Sequence, residues 1–129
     1  MKAMMPRLHL NCTGLAIFLG GTTQVAVYRA VLEQPGTLRR VLNRVNEEYG
    51  PIAYTTVATI ANKLCDKGIL ERVKTDNPKT EYVYTARYTE AELIRCCANL
   101  VIDKLNEEYP AQLSVAYNTL ILRKGAESR

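Results

Sequence analysis

Long apolar runs are missing from this sequence, and their absence excludes a membrane-spanning helix. The longest uninterrupted apolar stretch runs from Leu15 to Leu19, whereas a spanning helix needs roughly 20 such residues. The N-terminal part also lacks the layout of a secretory signal, because Pro6, His9 and Asn11 interrupt the approach to that stretch. We therefore expect a cytoplasmic protein that has no membrane partner and is not exported.

Patterns that carry catalysis or bind metals are missing as well. The sequence holds one histidine, His9, and four cysteines without a C-x-x-C pair, so it predicts no zinc site of the usual spacing. It has neither a glycine-rich phosphate loop nor a Ser-His-Asp arrangement. The carboxylate pairs Glu47-Glu48 and Glu107-Glu108 each end a predicted helix and are most simply solvated. We expect no enzymatic activity, no cofactor and no bound metal.

The sequence does carry a mild excess of positive charge. Its 17 Lys and Arg residues outnumber its 13 Asp and Glu residues, which gives a net charge of +4. The excess lies in residues 1–88, whereas residues 89–129 are close to neutral. Apolar residues make up 47% of the chain, as in ordinary folded domains. We therefore expect one folded domain with a short appended segment, and a polyanion partner is compatible with its front part.

Apolar periodicity and helix caps predict two helices between residues 22 and 50. The first begins with Thr22 or Thr23 as N-cap and ends at Gln34-Pro35-Gly36. The second begins after the N-cap Thr37 and ends at Gly50-Pro51. Residues 1–21 form an arm of uncertain structure before them, and its apolar patch favours a short strand or an extended segment.

A third helix is predicted to begin near Ala53 or Tyr54 and to end at Lys67-Gly68, where glycine suits a left-handed C-cap. Its apolar residues recur at i, i+3, i+4 and i+7, which is the spacing of one buried face. These residues are Val57, Ile60, Ala61 and Leu64. Polar side chains point away from that face: Thr55, Thr59, Asn62, Lys63 and Asp66.

Two β-prone runs follow the third helix, at residues 69–73 and 81–85, with the polar turn-forming segment 74–80 between them. Two strands joined by a polar tip make a hairpin. Three helices followed by a hairpin is the order of a winged helix-turn-helix. The sequence thus predicts a mainly α fold with a small β-hairpin, whose winged-helix domain spans residues 22–88.

Residues 89–129 are predicted to form two further helices. Thr89 and Glu92 have the spacing of a capping box at the start of the first, and Tyr109-Pro110 marks its end. A long apolar seam runs along this helix, formed by Leu93, Cys97, Leu100, Val101 and Leu105. A last amphipathic stretch carries Leu113, Ala116, Leu120 and Ile121.

Hydroxyl and basic side chains on three predicted elements fit a protein that binds nucleic acid. Threonines at the start of a helix allow close approach to a duplex, and the helix N-terminus offers N–H groups to phosphates. Each feature alone is more often a cap or a solvated surface, but together they favour nucleic-acid binding. The candidate contacts are Arg39, Arg40 and Arg44 on the second helix, Tyr54, Thr55, Thr56, Thr59 and Lys63 on the third, and Lys74 and Lys79 on the hairpin.

Several motifs in residues 20–88 resemble the penicillinase-repressor (BlaI/MecI) family of winged-helix regulators. They are Ala53-Tyr-Thr-Thr-Val-Ala-Thr59, Lys63-Leu64, Lys67-Gly68-Ile-Leu70 and Tyr82-Val-Tyr84. The resemblance implies a homodimeric repressor that binds a palindromic operator in double-stranded DNA. It places Thr55, Thr56, Thr59 and Lys63 on the recognition helix, and Lys74 and Lys79 on the wing. It also implies that residues 89–129 pair two subunits through the apolar seam, and amphipathic helices beyond a small core do need a partner surface.

Some features depart from the family pattern. Ile60-Ala61-Asn62 stands where members usually carry longer apolar or basic side chains, so the operator preference does not transfer. The tail lacks the Cys-x-Cys pairs of the copper-responsive relatives. Two alternatives stay open: a protein-interaction module with the same fold, and a thiol- or metal-responsive regulator that uses Cys96 and Cys97. Reduced thiols are the default for a cytosolic chain.

Overall fold

A computed structural model describes residues 14–75 and 82–127 of the chain, with side chains up to residue 125. The chain divides into two compact units, Met1–Glu90 and Ala91–Arg129. Within the described residues, no helix is both long enough and apolar enough to cross a bilayer. The elements in chain order are α1 (Gly14–Leu19), α2 (Thr22–Glu33), α3 (Leu38–Tyr49), α4 (Tyr54–Asp66), β1 (Leu70–Lys74), β2 (Tyr82–Ala86), α5 (Glu90–Glu108) and α6 (Pro110–Glu127).

This order confirms the predicted fold, which is mainly helical with one small antiparallel hairpin in a winged helix-turn-helix arrangement. Helix α2 lies at the centre of the first unit and packs against α1, α3, α4 and β2. Its inward side chains are fully buried, and they include Val27, Tyr28 and Val31. The apolar stripe predicted for the third helix is the face that α4 buries, because Val57, Ala61 and Leu64 are inaccessible to solvent.

The C-terminal part of the predicted arm differs from expectation. Residues 14–19 form helix α1, so the expected strand or extended segment is wrong there. Leu15, Ala16 and Leu19 have helical spacing, and all three are buried where α1 packs against α2. A six-residue helix without this packing would be unstable in water, because helix nucleation is unfavourable. The other arm residues, 1–13, lie outside the described part of the chain.

The start of α2 also differs from expectation. Gly21, not Thr22 or Thr23, is the N-cap, and the two threonines are the first residues of the helix. Gly20 and Gly21 have φ values of 102° and 151°, a region that only glycine enters readily. The chain therefore turns sharply between α1 and α2 at these two glycines, and the turn fixes the cap one residue earlier than the threonines suggest.

The turn between α3 and α4 positions the third helix. Thr37 caps α3 as predicted, since its Oγ1 accepts a hydrogen bond from the Arg40 N–H at 3.4 Å. Gly50 ends α3 with a φ of 87°. The Asn46 Oδ1 then accepts a hydrogen bond from the Ile52 N–H at 2.8 Å, which holds the tight connection into α4.

The hairpin, called the wing below, lies one residue later than predicted. Its antiparallel register pairs Leu70 with Ala86, Arg72 with Tyr84 and Lys74 with Tyr82. The Ile69 N–H donates to the Leu64 carbonyl across Gly68, whose φ is 77°. Ile69 therefore belongs to the C-terminal cap of α4, and β1 begins only at Leu70. The wing tip, including Lys79, lies outside the described residues.

Two contacts fasten the segment that follows the wing to α2. The Tyr28 hydroxyl donates to the Tyr88 carbonyl oxygen at 2.7 Å, and the Arg29 Nε donates to the Glu90 Oε1 at the same distance. Tyr28 is fully buried, so its hydroxyl needs a partner inside the protein. These contacts set the path of the chain up to the first residue of α5.

The second unit consists of α5 and α6, which are separated by Tyr109. The Tyr109 N–H donates to the Leu105 carbonyl at 2.6 Å, and the Leu113 N–H donates to the Tyr109 carbonyl at 3.0 Å. Pro110 has no N–H to continue the ladder between them, so the helical path breaks at this residue. The break is where the sequence predicts the end of the first C-terminal helix.

Candidate nucleic-acid interface

One side of helix α4 is exposed to solvent. Thr55, Thr56, Thr59 and Lys63 are exposed, and Tyr54 at the first position is 48% exposed. The opposite side carries the buried stripe that anchors the helix in the first unit. The four exposed residues predicted for the recognition helix are thus presented to solvent on a helix whose other side is fixed.

The start of α4 is open to a ligand. Its N-cap is Ala53, which has no side-chain oxygen and makes no side-chain capping hydrogen bond. The first N–H groups of a helix lack partners within the helix and carry a partial positive charge. The Thr56 N–H donates to the Ala53 carbonyl at 3.1 Å, so the N–H groups of Tyr54 and Thr55 are the donors that this end of α4 offers to a phosphate.

The Thr59 hydroxyl has a defined hydrogen-bonding state. Its Oγ1 donates to the Thr55 carbonyl one turn earlier, at 2.8 Å. The hydroxyl hydrogen is therefore used inside the helix, which leaves the oxygen lone pairs and the methyl group of this exposed residue for an external partner. In this rotamer Thr59 accepts hydrogen bonds or makes apolar contact, for example with a thymine methyl.

Arg39 and Arg40 lie at the start of α3, and both are exposed. The Arg40 stem packs over Gly36, since a Cβ at Gly36 would come 2.7 Å from the Arg40 Cδ. Gly36 is itself fixed by two hydrogen bonds with Tyr84, through which it forms a short β-bridge to the wing. The glycine therefore makes room for the Arg40 side chain close to the base of the wing.

Arg44 is engaged in ion pairs within the described part of the chain, which makes it a weaker candidate for a duplex contact than the sequence suggests. Its guanidinium pairs with Glu33 at 3.0 Å, with Glu48 at 2.9 Å and with Glu47 at 3.5 Å. The hydrogen bond with Glu33 is the main reason why the pKa of Arg44 is raised. Three carboxylates surround this one cation, so the cluster offers no net positive charge to a polyanion.

Sequence reasoning missed a polar connection between α4 and the wing. The Asn62 Oδ1 accepts hydrogen bonds from the Arg72 Nη1 at 2.9 Å and from the Tyr84 hydroxyl at 3.0 Å. Burial raises the pKa of the Tyr84 phenol, which therefore keeps its hydrogen and donates it. The Arg72 guanidinium also lies over the Tyr82 ring, 5.6 Å from its centroid. The sequence signal for this connection is the alternation of β1, which puts Leu70, Arg72 and Lys74 on one face.

The predicted dimer seam on α5 separates into buried and exposed parts. Leu93 is 3% exposed and Cys97 is half-buried, whereas Leu100 is 70% exposed and Val101 and Leu105 are also exposed. Other large apolar side chains on the two C-terminal helices are exposed too: Ile102, Tyr109, Val115, Tyr117, Leu120, Ile121 and Leu122.

A cleft of about 470 Å³ lies between α5 and α6. It is lined by Ile102, Asp103, Asn106, Leu113, Ser114, Ala116, Tyr117 and Leu120. Contiguous apolar surface of this kind is typical of an interaction site.

Two of the described cysteines, Cys65 and Cys97, have thiols whose pKa is raised. Burial raises the pKa of Cys97, and the neighbouring Cys96 thiol raises it further. Burial likewise raises the pKa of Cys65. A reactive thiol is usually one whose pKa is lowered. In the ranges 14–75 and 82–127, no three His, Cys, Asp or Glu residues cluster as metal ligands.

Comparison with solved structures places the fold among winged-helix transcription regulators. MarR is 16% identical in sequence over 92% of this chain and 88% of its own, with a TM-score of 0.51. A PadR-like transcription factor from Bacteroides fragilis is 10% identical over 73% of this chain and 91% of its own, with a TM-score of 0.52. YodB from B. subtilis, treated with diamide, is 13% identical over 80% of this chain and 96% of its own, with a TM-score of 0.50. At such identities the likeness establishes the fold alone.

Comparison at the level of sequence identifies the family. No curated protein has a significant match to this chain. The family model described as penicillinase repressor matches residues 21–120, which extends from the start of α2 into α6. The resemblance read from the recognition-helix and wing motifs is confirmed. The chain therefore belongs to the penicillinase-repressor family, whose members are DNA-binding transcriptional repressors built on a winged helix.

Proposed function

We propose that the chain acts as a homodimeric repressor that reads a palindromic operator in double-stranded DNA with α4. The observation that carries this proposal is the bare side of α4, where exposed threonines flank an uncapped helix start. The opposite side is buried against the protein's own core. A helix presented in this way enters a major groove with its N-terminal residues towards the bases.

The side chains divide between base and phosphate contacts. Thr55, Thr56 and Thr59 are short enough for the helix backbone to approach base edges, and they read them through hydroxyl and methyl groups. The longer or basic side chains reach the phosphates on either side. These are Arg39 and Arg40 on α3, Tyr54 and Lys63 on α4, and Lys74 and Lys79 on the wing.

The C-terminal helices form the dimer in this proposal. Leu100, Val101 and Leu105 expose apolar surface along one helix, and a second copy of the same surface covers it symmetrically. Leu93 is already buried within the single chain, so it supports packing and not subunit contact. A two-fold dimer places two copies of α4 on inverted half-sites, which is why the operator is palindromic. DNA as the partner also makes the cytoplasm the compartment in which the repressor acts.

A titration of the full chain against a mixed-sequence duplex at several salt concentrations tests the proposal. A DNA-binding protein shows an affinity that falls steeply as salt rises, because bound phosphates release counterions. A protein-interaction module with the same fold binds no duplex at low salt. The absence of binding at every salt concentration would contradict the repressor function and favour the interaction module.

A further inference from the structure

One face of the wing changes from core to charged surface along its length. Side chains two apart on a strand, and those directly paired across an antiparallel ladder, lie on the same face. Leu70 and Tyr84 on this face are 2% exposed, so it is the face that turns towards the core. Further out, the same face carries Arg72 and Lys74, both exposed. We call it the inner face of the wing.

The inner face meets α4 on the helix side that carries the threonines. Asn62 is three residues after Thr59 and seven after Thr55, so it continues the same helix face. The Asn62 Oδ1 binds both the Arg72 Nη1 and the Tyr84 hydroxyl. Arg72 therefore stands where the exposed side of α4 meets the inner face of the wing.

Arg72 keeps its charge available. Arg44 and Arg29 are paired with carboxylates, but within residues 14–75 and 82–127 Arg72 has no salt bridge. Its polar partners are neutral groups, the Asn62 amide and the Tyr84 phenol, and the flat face of its guanidinium covers the Tyr82 ring. A guanidinium has five N–H donors in a planar fork that matches a phosphate. The contacts to Asn62, Tyr84 and Tyr82 leave several of those donors for an external anion.

We propose that Arg72 is a phosphate-binding residue of the DNA interface and that Asn62 is the positioning residue that holds its guanidinium at the groove edge beside α4. The proposal rests on the proposed function and adds to it a contact at the base of the wing. Asn62 lies in the segment where the chain departs from the usual family pattern.

The test compares variants of the full chain on a mixed-sequence duplex of about 40 base pairs, long enough for two half-sites. Arg72→Gln is the informative variant, because it removes the charge and keeps an unbranched polar side chain. Arg72→Lys restores the charge without the planar fork. Arg123→Gln is the matched control, since it removes an exposed arginine from α6. Thermal melting verifies that each variant folds as the wild type does.

We expect Arg72→Gln to lower affinity about tenfold at low salt and to reduce the slope of log K against log salt by about 0.9. Arg72→Lys should recover most of the slope, and Arg123→Gln should change neither quantity. Asn62→Ala should lower affinity by a smaller factor, and it should have no further effect in the Arg72→Gln background.

The results separate the inference from the function on which it rests. Wild-type binding together with an unchanged affinity and salt slope for Arg72→Gln would overturn the phosphate contact alone. Additive effects of Asn62→Ala and Arg72→Gln would overturn the positioning role. A wild-type chain that binds no duplex would overturn the proposed function and this inference with it.

Discussion

The Thr59 hydroxyl shows how much a single side chain is constrained before any duplex arrives. Its hydrogen is given to the Thr55 carbonyl, so its contribution to recognition comes from an oxygen acceptor and a methyl group. Thr119 on α6 makes the same bond to the Val115 carbonyl, at 3.0 Å, and is also exposed. The two residues have the same local structure, but Thr59 lies on α4 and Thr119 lies on α6.

A comparison of Thr59 with Thr119 provides a controlled test of whether α4 contacts the bases. We predict that Thr56→Ala and Thr59→Ala each weaken binding to a preferred duplex by about 1–3 kcal/mol, because each removes a base contact. Thr119→Ala should leave affinity unchanged. Fluorescence anisotropy with preferred and scrambled duplexes measures the difference. Equal affinity of the wild type and both variants for the two duplexes would show that α4 reads no bases.

Arg40 belongs to a different class of contact. Its stem is held over Gly36, and its charge lies at the exposed start of α3. We predict that Arg40→Ala lowers affinity for all duplexes alike and reduces the salt slope by about one phosphate's share, or 0.9. The comparison is with Arg123→Ala, titrated over the same salt series. A slope identical to that of the wild type would place Arg40 away from the phosphates.

At the scale of elements, the sequence predicts helices well where one face is buried. The stripe on α4 and the Thr37 cap of α3 appear as expected, because both depend on local spacing. The sequence favours a strand or extended segment where helix α1 forms, since six residues hold too little periodicity and their stability comes from packing against α2. The start of β1 lies one residue later than predicted because a C-terminal cap bond includes Ile69.

In the candidate site, too, the sequence predicts the features that depend on local spacing and misses those that depend on tertiary partners. Exposure of Thr55, Thr56, Thr59 and Lys63 follows from the helical period, which the sequence displays. The neutralised charge of Arg44 does not follow from it, because Glu33 is eleven residues away on another helix. The bond between Asn62 and Arg72 also joins two elements. Tertiary partners of this kind decide which cations remain free, and no local pattern contains them.

The end of α4 allows a test of how the helix is joined to the wing. Gly68 has a φ of 77°, a conformation that is unfavourable for any side chain with a Cβ. We predict that Gly68→Ala lowers the free energy of unfolding by about 1 kcal/mol. Gly125→Ala, inside helix α6, should leave it unchanged or raise it by up to about 1 kcal/mol. Urea denaturation at one fixed protein concentration compares them. A stabilising Gly68→Ala would contradict the left-handed cap.

At the scale of the whole molecule, the C-terminal helices pose the question of assembly. Helical spacing alone groups Leu93 with Leu100, but burial separates them, since the first is covered in the single chain and the second is 70% exposed. The exposed part of the seam and the cleft between α5 and α6 present several large apolar side chains to water, and an apolar surface of that kind is typical of an interaction site.

We predict that Leu100→Asp raises the dimer Kd by about 30-fold or more, because it places a charge in an apolar interface. Ile17→Asp on α1 is the matched control, since Ile17 is also exposed, and it should leave the dimer intact. Sedimentation equilibrium measures both. A wild type that is monomeric at all concentrations, or a Leu100→Asp variant that dimerises as the wild type does, would contradict pairing through the seam.

The central claim is that two copies of α4 lie in the major groove of one operator. Selection of bound sequences from a random duplex pool, with the full chain as bait, tests it most directly. We predict enrichment of two inverted half-sites whose centres are about one helical turn, roughly 10 base pairs, or a multiple of it apart. A pool that stays unenriched after repeated rounds, or that converges on a single half-site without symmetry, would contradict the account.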